Sequence, residues 1–256
     1  MAHFATILDL KRIIKHRPSY ITEEELYNIY NDGYMVVSDV NPLHFSYPVR
    51  YYDNIMIRYH IKDYDELNEM LKIFLDLFNE DIYVSNIPEE KLEIFKSIKF
   101  YPIFKTNTLI KKDFEIEGIV PNCYFIPYSN IYSQDILNID NSFFYDIFKL
   151  KPHHIIEMSK DPYIKITLLM HNGNCIGYSI YRLNHTLGFG YIIKMAVDKD
   201  YHHKGFGSML LREVINSFKS KGVLPICIDC IDSSTSFFEK HGFKKISSGF
   251  ILKHEI

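Results

Sequence analysis

The chain has 256 residues, 47% of them hydrophobic, and a formal net charge of −3. That length suits one or two domains with real cores, and that charge excludes the strong pull toward nucleic acid or anionic membrane that a basic chain feels. No apolar run nears the roughly 20 residues needed to span a bilayer, and the opening Met1-Ala2-His3-Phe4-Ala5-Thr6 lacks the basic-then-apolar order of a signal peptide, so a cytoplasmic protein is expected.

In chain order, an amphipathic helix is predicted from Ala5 to His16, ended by Pro18. A second begins at Thr22, where Thr22-Glu23-Glu24-Glu25 forms a capping box. A strand from Asn54 to Ile61 precedes a helix from Asp65 to Phe78, which carries Leu67, Met70, Leu71, Phe74 and Leu77 on one stripe. Asp81 to Ser85 reads as a strand. The helix begun at Lys91 ends in Phe100, which opens a strand from Ile103 to Lys111. Phe114 to Asn122, with Gly118 and Pro121, is the expected linker, giving domains over 1–118 and 119–256.

The second domain opens with a strand, Cys123 to Pro127. Helices are expected near Ser133 to Ile139, Ser142 to Leu150 and Pro152 to Met158, with His153 and His154 as a solvated pair. Strands from Tyr163 to His171 and from Cys175 to Leu183 join through His171-Asn172-Gly173-Asn174, whose Asn-Gly suits a primed turn. Leu187 to Val197 continues the meander.

The stretch that follows is the most informative. Val197-Asp198-Lys199-Asp200-Tyr201-His202-His203-Lys204-Gly205-Phe206-Gly207-Ser208 takes a strand through a polar loop into a helix, with two glycines one residue apart. Such a loop aims backbone N–H groups at one spot in front of a helix N-terminus, where an anion is favoured. The run lacks the Gly-x4-Gly-Lys-Ser/Thr of a Walker loop, and Leu210 stands where the dinucleotide fingerprint needs a third glycine or alanine. The helix, Phe206 to Lys219, carries Leu210, Leu211, Val214, Ile215 and Phe218 at helical spacing and stops at Gly222. Pro225 to Ile231 reads as a buried strand. A helix ending in Phe237-Phe238-Glu239-Lys240-His241-Gly242-Phe243 and a strand from Lys244 to Lys253 close the chain. Cys227 and Cys230 form a C-x-x-C, but residues three apart on a strand face opposite ways, so no metal site is expected.

The same order occurs twice. Lys91 to Phe100 parallels Ser234 to Phe243, Asp81 to Ser85 parallels Pro225 to Asp229, and Lys62-Asp63-Tyr64 parallels Lys199-Asp200-Tyr201. The first copy is shorter where the loop should be, and no glycine lies between Gly33 and Gly118.

Three of these segments in order, Tyr191 to Val197, His202 to Gly207 and Phe237 to Phe243, resemble the GCN5-related N-acetyltransferase (GNAT) superfamily. The resemblance implies an α/β (α+β) GNAT fold, a mixed, mostly antiparallel sheet flanked by helices, in two tandem GNAT-like domains of which the first is degenerate. It implies acetyl transfer from acetyl-CoA to an amine by direct attack, the amine belonging to a small molecule or to a peptide or protein. Met195, Ala196 and Val197 would pair with the pantetheine arm, and an N–H near Met195 would serve the oxyanion. His202, His203, Lys204, Gly205, Phe206, Gly207 and Ser208 would hold the pyrophosphate, with His202 where Arg or Gln is usual. The family's proton-donating tyrosine falls at Phe238, an asparagine frequent ahead of that helix at Ile231, and an early acidic residue of the fourth strand at Tyr191. Tyr191 and Cys230 are the substitute catalytic candidates, with Tyr201 behind them, and His241 has no assigned role. An acyl-CoA-binding sensor or scaffold with little turnover is the alternative. A monomer and a homodimer both stay open, with no nucleic-acid, membrane or metal partner.

Overall fold

The computed structural model describes residues 1–19, 21–116, 123–184 and 188–255; most of the expected linker, with Gly118 and Pro121, and Leu187 lie outside these. Two compact units emerge, and no single cut separates them. The first is Met1–Thr106 with Ser248–Ile256, the second Asn107–Ser247.

In the first unit, strands β1 (Ala2–Phe4), β2 (Val36–Ser38), β3 (Phe45–Tyr51) and β4 (Asn54–His60) pair antiparallel in order, and β5 (Ile82–Ile87) joins β4 in parallel. The first three strands go beyond the sequence reading. Helix α1 (Ile7–Lys15) starts at Thr6 and α2 (Glu23–Asn31) at Thr22, both through capping boxes. In each box a threonine oxygen takes one orphan N–H while the third helical residue's carboxylate takes another. Their apolar sides, Leu10, Ile13 and Leu26, pack on Val37 and Phe45. The stripe of α3 (Tyr64–Leu77), namely Leu67, Met70, Leu71 and Phe74, packs on Ile55, Ile57, Ile82 and Val84; the fifth predicted member, Leu77, is exposed. A short helix, α4 (Leu92–Lys96), leads to β6 (Phe100–Lys111).

The second unit repeats the plan. Strands β7 (Cys123–Pro127), β8 (Ile164–His171), β9 (Asn174–Asn184) and β10 (Phe189–Val197) pair antiparallel, and β11 (Ile226–Ile231) joins β10 in parallel. Asn172 (φ 49°) and Gly173 (φ 82°) form the predicted primed turn. Helix α5 (Ser133–Phe143) and a single 3₁₀ turn, Asp146–Phe148, replace the two helices expected over 133–150. Helix α6 (Pro152–Lys160) follows; His154 is buried rather than solvated, its Nδ1 accepting the Lys151 N–H at 3.0 Å. Helix α7 (Phe206–Ser220) buries the whole predicted stripe, and α8 (Thr235–Lys240) precedes β12 (Lys244–His254).

The ends of β6 and β12 explain why the units are not consecutive stretches. Phe250 and Leu252 of β12 pair with β5 and pack in the first core, while Leu109 of β6 packs among Val214, Ile226 and Phe243 in the second. The boundary at 118 describes the repeat in sequence; each compact unit takes a strand end from the far side of it.

Candidate functional site

The site is built on β10. Its first residues pair in parallel with β11 as Gly190↔Ile226, Tyr191↔Cys227 and Ile192↔Ile228. At that point β10 changes register against β9: Ile192 opposes Tyr181 and Lys194 opposes Ile180, so Ile193 is one extra residue. An extra residue bends and twists a strand. β10 runs on to Val197 and β11 to Ile231 beyond their shared ladder, which leaves a fork with backbone polar groups of β10 along one arm. Met195, Ala196 and Val197 are that arm, held from behind by Ser179, Tyr178 and Gly177 of β9.

Past Val197, the chain makes a 3₁₀ turn (Lys199–Tyr201) whose entry is capped by Asp198, its carboxylate accepting the Asp200 N–H at 2.9 Å. His202 Nε2 donates to the Val197 carbonyl at 2.7 Å, and its ring lies edge-on to Phe143. The imidazole thus braces the loop across its base. His203 (φ 60°) and Gly205 (φ 86°) are both left-handed, a conformation that suits glycine and strains histidine. Gly205 is the N-cap of α7 and offers no side chain to it. The first intrahelical N–H bond runs from Met209 to the Gly205 carbonyl at 3.1 Å, so the N–H groups of Phe206, Gly207 and Ser208 are left for an outside acceptor. A Cβ on Gly207 would meet only the Phe237 ring, at 3.4 Å. Lys204 folds back onto the turn, its Nζ donating to the Asp200 carbonyl at 2.8 Å. The Phe206 ring packs inward with Val197 and Leu210, so that residue offers its backbone. Ser208 Oγ sits 2.9 Å from His241 Nε2, and burial lowers the His241 pKa.

The two catalytic candidates lie apart. Cys230 packs against the second core, and burial pushes its thiol up to about 11. Tyr191 opposes Arg182 and Cys227 and so looks out from the other face of the sheet. Its hydroxyl donates to Asp229 Oδ2 at 2.7 Å. Phe238 is buried against Phe243, part of the core. Tyr201 stacks edge-on to Phe206.

Two features were missed in the sequence. The first is a buried ion pair, Lys194 with Asp140, both under 5% exposed. Asp140 also accepts the Tyr178 hydroxyl and, at 2.7 Å, the Leu150 N–H. Lys194 also donates to the Phe148 carbonyl and lies 3.8 Å from the centre of the Phe144 ring. One lysine of β10 therefore fastens residues 144–150 beside the fork. Burial draws its pKa down to about 8 against the pull of Asp140. The second feature is Asp229 itself, on β11 immediately past the last ladder pair. Nothing in the local sequence marks either; Asp140 and Lys194 are 54 residues apart.

Comparison with known proteins bears on this geometry. The family model described as acetyltransferase (GNAT) family matches residues 133–243, and this segment is a GNAT domain. Over the whole length the fold is shared with a GCN5-related N-acetyltransferase from Sphaerobacter thermophilus (12% identity, 100% of this chain and 95% of that one, TM-score 0.69). It is shared also with a functionally unknown conserved protein from Staphylococcus epidermidis (14% identity, 93% and 98%, TM-score 0.63). A tandem GNAT protein from the clavulanic acid biosynthesis pathway is similar at 6% identity over 86% of this chain and 81% of that one, TM-score 0.62. Among the described residues no helix is long and apolar enough to cross a membrane.

Proposed function

We propose that the second unit binds acetyl-CoA in the fork and loop and transfers the acetyl group to an amine nitrogen. The observation that carries this reading is the α7 entry: a side-chain-free N-cap, left-handed residues at His203 and Gly205, and three N–H groups without intrahelical acceptors. A pyrophosphate fits that donor set, since helix N-termini favour anions. Acetyl-CoA supplies an acetyl thioester; the amine nitrogen bonds to the acetyl carbon, the carbon–sulfur bond breaks, and the proton lost by nitrogen is matched by one gained by sulfur. The chain's part is positioning. Met195, Ala196 and Val197 offer backbone groups to an extended arm, and an N–H near Met195 would face the carbonyl oxygen, a contact worth about 100- to 1,000-fold in such reactions. Holding both reactants at one fork supplies the orientation.

The reading leaves proton donation to the sulfur without a dedicated side chain. The Cys230 thiol, pushed up to about 11, is poorly matched to a coenzyme thiol near the ordinary ~8.5, and Phe238 has no proton to give. This favours, as the second reading, a protein that binds acyl-CoA and turns over slowly. The test is release of CoA from acetyl-CoA by the purified protein across an amine panel. Amine-dependent release supports the enzyme; coenzyme binding without release supports the second reading.

A further inference from the structure

Asp229 stands at the point where β10 and β11 part. Its two carboxylate oxygens are each engaged by a hydroxyl, Oδ2 by Tyr191 at 2.7 Å and Oδ1 by Thr108 at 2.5 Å. The group is exposed, so both oxygens keep a lone pair toward solvent. A carboxylate fixed by two hydroxyls and open to solvent is suited to accept a charge-assisted hydrogen bond from a cation. The nitrogen that attacks must be neutral, and a carboxylate would hold it as the unreactive ammonium. The cation on Asp229 is therefore a second one, borne elsewhere on the same acceptor.

We infer that Asp229, set by Tyr191 and Thr108, seats a non-reacting ammonium of the acceptor, so that the site selects amines carrying a second positive charge. This rests on the acetyl-transfer reading above. A charge-assisted hydrogen bond contributes about 1.5–3 kcal/mol, or roughly 10- to 100-fold in kcat/KM.

The experiment compares straight-chain diamines with amino alcohols of the same length, which keep the reacting amine and replace the second ammonium by hydroxyl. Several lengths are used, with wild-type protein, Asp229→Asn and Tyr191→Phe, and acetyl-CoA affinity is measured calorimetrically for each. The expected result is a diamine preference of about tenfold or more in the wild type, carried in KM, abolished in Asp229→Asn and reduced in Tyr191→Phe. Acetyl-CoA affinity and melting temperature are unchanged in both. Equal use of diamine and amino alcohol, a preference that survives Asp229→Asn, or acetyl-CoA binding with no diamine acetylated at any length overturns the inference and leaves the coenzyme site standing. Absence of acetyl-CoA binding in the wild type instead overturns the underlying reading.

Discussion

The two units take the same step differently. In the first, three residues, Ile61 to Asp63, carry β4 into α3; in the second, eight, Asp198 to Gly205, carry β10 into α7. Asp63 caps α3 with its own carboxylate, which accepts the Asp65 N–H at 2.9 Å. The first helix thus meets its positive end with a built-in anion, whereas Gly205 leaves that place to something else. The forks differ too. β4 has no extra residue against β3, and the Tyr59 hydroxyl reaches across from β4 to the Asn86 carbonyl of β5 at 3.0 Å. One plan, with a short capped turn, makes a core element; with a bulge and an uncapped helix, it leaves the backbone donors on which the proposed site rests.

The sharpest way to break this comparison is at Lys194, which exists as a buried cation only in the unit with the bulge. Lys194→Met strands the Asp140 charge and should lower stability by about 3–5 kcal/mol in denaturant melts; the double variant with Asp140→Leu removes that charge but orphans the Tyr178 hydroxyl and the Leu150 N–H, and should recover only part of it. The pH dependence has a definite sign. The Lys194 pKa lies near 8 in the folded chain against an ordinary 10.5. Between these values the unfolded chain binds more protons, so this group's contribution makes stability rise with pH across that window. Below it, the burial penalty is fully felt. The wild-type rise above that of the double variant is the quantity to measure.

Gly190 is the next lever. It pairs with Ile226 as Ile55 of the first unit pairs with Ile82, yet a Cβ there would run into the Phe218 ring of α7. Gly190→Ala should cost about 1–3 kcal/mol by overpacking. Asp63→Ala should cost the first unit about 1 kcal/mol as a lost cap without creating acetyl-CoA binding, because the connection stays three residues long.

Much of this was legible in the sequence. The α7 stripe, the glycine loop, the Asn172-Gly173 turn and the capping box at Thr22 each rest on contacts within a few residues. Strands β1 and β2 were not read, since three residues make too short a period-two signal, and β3 carries Pro48, which reads as a strand breaker. The second helix expected over 142–150 is a 3₁₀ turn, because the order there comes from Lys194 and Asp140 and not from local periodicity. Asp229 falls within a strand read only as buried, and the Tyr191 and Thr108 hydroxyls give it a place. The ends of β6 and β12 escape any linear division, because what assigns them is packing by Leu109 and Leu252.

The central claim is that one unit of the two holds the coenzyme, through the uncapped start of α7. Calorimetric titration of acetyl-CoA into the wild type and Gly207→Val tests it most directly. The expected result is one molecule bound per chain, lost in a variant that still folds. No binding by the wild type, two molecules per chain, or binding that survives Gly207→Val would contradict it.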